Sequence, residues 1–251
     1  MDIDLSAPFA VIADIHGNSD ALTAVLSDID AQGIATILNH GDHFSGPLAA
    51  GETARQLENR EMLSIRGNHD RWLIEQERSQ MGASDAAAFD QLRPQDFDWL
   101  RSLPATREIE HTVFMCHGTP DSDTTYWLET VLPDGTVAPN SREGIEAAGA
   151  GVTCPVILCG HTHLARLVRL RDGRMVLNPG SVGLPAYDDE TPVPHVVAAG
   201  STEARYSVVT QVGTTWDVSF RAISYDTARM SQMARDCGRS DWARAVATGW
   251  L

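Results

Sequence analysis

An α/β fold of two sheets with helices outside is predicted by three features of this 251-residue sequence. First, short continuous apolar runs rich in Val, Ile and Leu occupy 9–13, 36–38, 62–65, 112–116, 156–159 and 175–177, as strands buried on both faces require. Second, helical periodicity falls between these runs, which implies parallel pairing of the strands. Third, the texture changes after Gly160. Segments 164–170, 174–178, 204–209 and 216–222 follow one another with turns such as Arg171-Asp172-Gly173 and no long helix between them. They are predicted to pair as an antiparallel second sheet.

Taken in order, the first helix spans 20–32, where Leu22, Val25, Leu26 and Ile29 recur at i, i+3, i+4 and i+7, with Ser19 as cap and Gly33 as stop. A second helix is expected over 49–59 and a third from about Arg71. Pro94 opens another, with Phe97, Leu100 and Leu103 on one face before Pro104 ends it. Residues 225–251 read as one or two closing helices. Two stretches stand apart: 121–150, with Tyr126, Trp127 and a Pro133-Asp134-Gly135 turn, and 187–202, with Asp188-Asp189-Glu190 and His195. Each reads equally as a loop over a site or as surface decoration. The expectation is one domain over 1–251, with 121–150 as a candidate cap insertion.

Composition narrows the function. Hydrophobic residues are 43% and charged residues 21%, an ordinary globular balance, and no run reaches the roughly 18 apolar residues of a membrane helix. The start Met1-Asp2-Ile3-Asp4 is acidic where a secretory signal carries positive charge, so a cytoplasmic protein is expected. Net charge is −15, and lysine is absent, so every fixed cation is an arginine and none form a basic run. Phosphate contacts dominate affinity for long nucleic acid, which this chain is therefore not expected to bind. Schiff-base and P-loop lysine chemistry are excluded. Cys116, Cys154, Cys159 and Cys237 show no CxxC pair and no disulfide spacing, and Cys116 and Cys159, each ending an apolar run, read as small buried hydrophobes at strand ends.

Five polar blocks end apolar runs: Asp14-Ile15-His16-Gly17-Asn18, Gly41-Asp42-His43, Gly67-Asn68-His69-Asp70, Cys116-His117-Gly118 and Gly160-His161-Thr162-His163. In an open α/β sheet, ligands bind beyond the carboxyl ends of the strands, so strand ends of one sheet would gather these blocks along one edge. Residues two apart on extended chain face one way, which lets Asp14 and His16 serve one ion. Most of the nine histidines fall here, with aspartates and the neutral oxygen of Asn68. Such a set suits two divalent metals side by side, and such a pair implies hydrolytic attack on phosphorus.

The order Asp-x-His, Gly-Asp, Gly-Asn-His-Asp, lone His and Gly-His-x-His resembles the calcineurin-like metallophosphoesterase superfamily. The block Asn178-Pro179-Gly180-Ser181-Val182-Gly183 is similar to its bacterial small phosphodiesterase branch. The resemblance implies a β-sandwich flanked by helices in αββα layers. By motif, Asp14, His16 and His163 would hold one metal, Asn68, His117 and His161 the other, and Asp42 would bridge them. His69 would be a general acid or electrostatic stabiliser. Two divalent ions are implied, Mn²⁺ first, with Fe, Zn²⁺ or Ni²⁺ as alternatives.

The expected activity is hydrolysis of small or nucleotide-like phosphodiesters. Two cations lower the pKa of a shared water, so that hydroxide bridging them attacks phosphorus in line. The alternatives are a phosphomonoesterase, a dinucleoside-polyphosphate hydrolase, and a non-catalytic metal-binding scaffold. Relatives acting on proteins or dinucleoside polyphosphates often carry an arginine after Gly-Asp. Here the text is His43-Phe44-Ser45-Gly46-Pro47, which removes a bidentate clamp and favours diesters. Asn18 and His43 are candidate substrate contacts, His43 alternatively serving its loop. Asp70 either orients His69 or caps a helix, Arg71 is read as a surface helix residue, His40 as buried and satisfied, and His111 as exposed. A small phosphoester is the only partner expected, with no membrane and no predicted oligomeric state.

Overall fold

The structure, a computed structural model, describes residues 4–251, so the acidic opening at Met1, Asp2 and Ile3 lies outside it. In chain order the elements are β1 (Phe9–Ile12), α1 (Ser19–Ala31), β2 (Thr36–Asn39), α2 (Ala50–Glu58), β3 (Leu63–Ser64), α3 (Asn68–Glu75), α4 (Ala83–Phe89) and α5 (Pro94–Ser102). Then come β4 (Arg107–Ile109), β5 (Val113–Met115), β6 (Glu129–Val131), β7 (Val137–Pro139), α6 (Arg142–Ala148), β8 (Val156–Leu158), β9 (Arg166–Arg169) and β10 (Met175–Asn178). The chain ends with β11 (Ala186–Asp189), β12 (His195–Ala198), β13 (Ala204–Val212), β14 (Thr215–Ile223), α7 (Ala228–Asp236) and α8 (Ser240–Thr248). No described helix is long and apolar enough to cross a membrane.

Two five-stranded sheets run β14-β13-β1-β2-β3 and β4-β5-β8-β10-β9. Alternation along β1 explains the layering. Ala10 and Ile12 face α1 through Leu22, Val25 and Ile29, whereas Phe9 and Val11 face the opposite sheet at Val113, Met115, Val156, Leu158 and Leu177. The far face of that second sheet, with Ile157 and Val176, is covered by Trp127, Leu128 and Ile145 of α6. The order is therefore helices, sheet, sheet, then α6 with its flanking segment, which is the αββα arrangement. Each fully buried Leu, Ile or Val stabilises it by roughly 1.5–3 kcal/mol.

Three expectations need correction. The polar blocks do not hang from one sheet: β1, β2 and β3 are parallel in the first, and β5, β8 and β10 are parallel in the second. The carboxyl ends of both triplets point to one end of the sandwich. Nor do the four strands after Gly160 form one sheet. The β9–β10 hairpin extends β8, while β13 crosses back to pair antiparallel with β1, covering an edge that would otherwise be open. Finally, α1 is capped by Asn18, whose Oδ1 accepts from the Ala21 amide at 3.1 Å; Ser19 is the first helical residue.

The 178–183 block backs the first polar block. Val182 and Gly183 amides donate to the Ala13 and Asp14 carbonyls, and Ser181 Oγ donates to the Asp14 carbonyl at 2.7 Å. A Cβ on Gly183 would sit 1.8 Å from the Ile15 carbonyl oxygen, a backbone atom that cannot swing away. Gly183→Ala is expected to lower unfolding free energy by about 3 kcal/mol or more in urea titrations. A loss below about 0.5 kcal/mol, the range of an ordinary surface change, would contradict this close approach.

Candidate metal centre

The structure brings the predicted ligands together as two triads. Asp14, His16 and His163 offer ligand atoms within 4.8 Å of one another, and so do Asp42, His117 and His161. Asp42 Oδ2 lies between them, 3.2 Å from His117 Nε2 and 3.9 Å from His16 Nε2. Its other oxygen, Oδ1, accepts from the His69 amide at 3.0 Å, which fixes the carboxylate plane. Asn68 is buried at the start of α3, and its Oδ1 has no hydrogen-bond partner among the described residues.

Tautomers test whether a metal fits. The Nδ1 atoms of His16, His117 and His163 sit 2.9, 2.6 and 2.7 Å from the carbonyls of Ser45, His40 and Leu184. A carbonyl only accepts, so each Nδ1 carries a proton, which leaves Nε2 as the atom that would turn a lone pair inward to a metal. His16 Nε2 and His163 Nε2 then face each other at 3.1 Å, and Asp14 Oδ2 and Asn68 Oδ1 are buried without a donor. Inward lone pairs and orphaned oxygens of this kind are what divalent cations satisfy. The donor set therefore fits a pair of metal ions.

The local backbone was not legible as extended chain. Asp14, His16, Asp42, His161 and His163 have φ of 55, 51, 53, 69 and 59°, so the candidate ligands reach the triads from left-handed turns. Such conformations are sparsely populated by non-glycine residues and cluster at functional sites. Gly41 and Gly67 allow two of these turns to pack face to face: a Cβ on Gly67 would meet Asp42 Oδ1 at 2.2 Å.

Charges follow the geometry. Burial alone would raise the Asp14 and Asp42 carboxyls, but His163 and His117 hold them below the ordinary range, Asp42 well below. Burial and the neighbouring His117 push His161 down to about 3; burial and His163 push His16 down to about 4. Both rings are thus neutral at pH 7.

His69 stands beside the triads, a quarter exposed to the cavity (27%). Its Nδ1 pairs with Asp85 Oδ1 at 2.8 Å and with Ser45 Oγ at 3.1 Å. Burial opposes its charge, yet Asp42 and Asp85 outweigh burial and raise it to about 9. Asp85, on α4, is the partner that sequence reading missed. Asp70 does not orient His69. It accepts from the amides of Gly67, Asp42 and His43 and pairs with His43 Nδ1 at 2.8 Å, stitching α3 to the Asp42 turn.

Asn18 and His43, the candidate substrate contacts, are both fully buried and placed elsewhere. Asn18 caps α1 and donates to the Gly183 carbonyl and the Tyr225 hydroxyl. His43 is held by Asp70 with its ring against Trp99. His40 is buried with Nδ1 on the Cys116 carbonyl, though its Nε2 has no partner among the described residues, and His111 is exposed, as expected. Arg71 is not free surface: it makes a two-pronged pair with Asp123.

A cavity of about 800 Å³ opens over the triads. Both stretches that stood apart in the sequence line it, 121–150 through Tyr126 and Glu129 and 187–202 through Asp188 and Asp189. Tyr126 and Tyr187 lie over His161 and His163, with ring centroids 5.2 and 4.6 Å apart. Arg239 and Trp242 of the C-terminal segment complete the wall.

Comparison with known proteins agrees with this geometry. A family model described as the calcineurin-like phosphoesterase superfamily domain matches residues 8–203. An uncharacterized protein of Methanocaldococcus jannaschii is 27% identical over 198 residues, which cover 70% of this chain and 76% of that one. Among solved structures, a metallophosphoesterase from Sphaerobacter thermophilus superposes with TM-score 0.74 at 22% identity, over 96% of this chain and 99% of that one. A hypothetical protein from Pyrococcus horikoshii gives 0.74 at 20% identity, over 97% and 98%. At these identities the structural likeness is one of fold.

Proposed function

Since the chain belongs to the calcineurin-like phosphoesterase superfamily, we propose that it is a two-metal hydrolase of small or nucleotide-like phosphodiesters. The observation that carries this reading is Asp42 Oδ2, seated between two triads of imidazoles and carboxylates. A metal pair there supplies hydroxide near neutral pH and neutralises phosphate oxygens. The chain's own residues do the rest. Asp14, His16 and His163 would hold one ion, Asn68, His117 and His161 the other, with Asp42 available to both. His69, charged and beside Asp42, donates a proton to the departing alkoxide.

The cavity wall supports a diester over more highly charged substrates. Among its described lining residues the only arginine is Arg239, already bonded to Asp241 and Ser84 and stacked on Trp242. Asp188 and Asp189 add negative charge at the rim. A terminal dianionic phosphate or a polyphosphate chain would meet carboxylates without a free guanidinium clamp. A monoanionic diester avoids that repulsion, and Trp72, Tyr126, Tyr187 and Trp242 offer apolar surface to its alcohol.

Metal-stripped protein reloaded with Mn²⁺, Fe²⁺, Zn²⁺ or Ni²⁺ is expected to regain hydrolysis, fastest with Mn²⁺. Rates on bis(p-nitrophenyl) phosphate should exceed those on p-nitrophenyl phosphate and on diadenosine tetraphosphate by about tenfold or more in kcat/KM, the worth of one lost charged contact. No activity with any ion would refute the hydrolase reading, and a preference for monoester or polyphosphate would refute the diester assignment.

A further inference from the structure

The segment 121–150 does more than wall the cavity, because its Glu129 reaches the metal turn. Glu129, at the start of β6, is 1% exposed, an unusual place for a carboxylate. Its Oε2 accepts from Thr162 Oγ1 at 2.6 Å, and its Oε1 accepts from Arg166 Nε at 2.6 Å. Thr162 sits between His161 and His163, which belong to different triads. Its hydroxyl oxygen in turn accepts from Asn178 Nδ2 at 3.0 Å, and the same amide group donates to the Gly160 carbonyl at 2.7 Å. One hydroxyl therefore has its proton committed to Glu129 and a lone pair committed to Asn178.

Both histidines flanking Thr162 are in the left-handed region, at φ 69 and 59°. L residues hold that conformation only where surrounding contacts impose it. The Thr162 side chain is the point at which the fold grips the turn between them. Glu129 grips it from the inserted segment, Asn178 from β10.

We propose that Glu129, acting through Thr162, is a positioning residue that sets the spacing of His161 and His163 and so the affinity for the metal pair. This rests on the two-metal reading above. The inserted segment then serves the metal centre as well as the cavity wall, since it also lays Tyr126 on His161 and ties Asp123 to Arg71 beside the acid. Glu129→Gln can keep its carbonyl on Arg166 Nε only by turning its NH2 to Thr162 Oγ1, which reverses the bond to Thr162 and removes the charge from both contacts. Thr162→Val keeps the volume and removes both bonds, whereas Thr162→Ser restores them.

The test is Mn²⁺ titration of the metal-stripped full chain, followed by calorimetry and by the EPR signal of the loaded pair. Outer contacts of this kind are worth about 10–100-fold in metal affinity. Thr162→Val and Glu129→Gln are expected to lose that much and to alter the EPR signal, while Thr162→Ser stays within about threefold of wild type. A merely structural role would lower the melting temperature and leave affinity and spectrum of the folded protein unmoved; that result overturns the proposal. If Glu129→Gln does not fold, the contrast between Thr162→Val and Thr162→Ser decides. Wild-type uptake of fewer than two ions would refute the two-metal reading instead, with the same contrast still reporting on whichever ion binds. No uptake at all would refute both.

Discussion

Asp42→Asn is expected to reduce kcat/KM by roughly 10³-fold or more and to leave at most one tightly held ion per chain. Asp42 Oδ2 approaches both triads, at 3.2 Å from His117 Nε2 and 3.9 Å from His16 Nε2, while Asp14 Oδ1 reaches across to His117 Nε2 only at 3.8 Å. Bridging by a charged oxygen contributes several kcal/mol, and each 1.36 kcal/mol is tenfold in rate. The substitution isolates that charge because little else changes. Asparagine, like aspartate, tolerates φ 53° better than other residues with a side chain, and its carbonyl oxygen can still accept from the His69 amide. The turn is also held independently, since Asp70 takes the amides of both Asp42 and His43. Metal content by mass spectrometry and rates on a chromogenic diester read the two effects separately. Two ions retained with activity within tenfold of wild type would remove Asp42 from the bridging position.

The candidate ligands stand out in the sequence because each follows the end of an apolar run and carries chemistry that a strand end rarely needs. All seven arrive at one end of the sandwich, and the repeated strand–block rhythm announced them. What the sequence did not carry is non-local. Whether β13 pairs with β1 or with β10 depends on which sheet edge is open, a property of the assembled fold, and nothing in 204–209 encodes it. Asn18 and His43 looked like ligand neighbours by position, yet the backbone claims them: one caps α1, the other braces Asp70. Two of the site's supporting carboxylates, Asp85 and Glu129, lie in stretches with no motif. Each is recognisable only once a buried carboxylate is seen against a histidine or a hydroxyl of the metal blocks. The glycines of 178–183 were visible as a motif, but their purpose, close approach to the Asp14–His16 turn, required the fold.

His69→Ala is expected to lower kcat on a diester by about 10²–10⁴-fold, the usual worth of a positioned acid, while both metal ions remain bound. The retention follows from geometry: His69 hydrogen-bonds the triads through its backbone amide on Asp42, which alanine keeps, its ring meets His16 only edge-on at 5.6 Å, and its ring nitrogen is turned to Asp85 and Ser45. The loss should shrink as the leaving alcohol becomes more acidic, because a good leaving group needs less protonation. Loss of metal in the variant would instead make His69 a ligand, and an equal loss on every leaving group would make it an electrostatic stabiliser. Asp85→Asn adds a pH test. His69 is raised to about 9 by Asp42 and Asp85 against burial, so removing the Asp85 charge lowers that pKa. An acid is active while protonated, hence the alkaline limb of kcat against pH must move to lower pH in Asp85→Asn. An unmoved limb would mean that the proton lost on that side of the profile is not the one on His69.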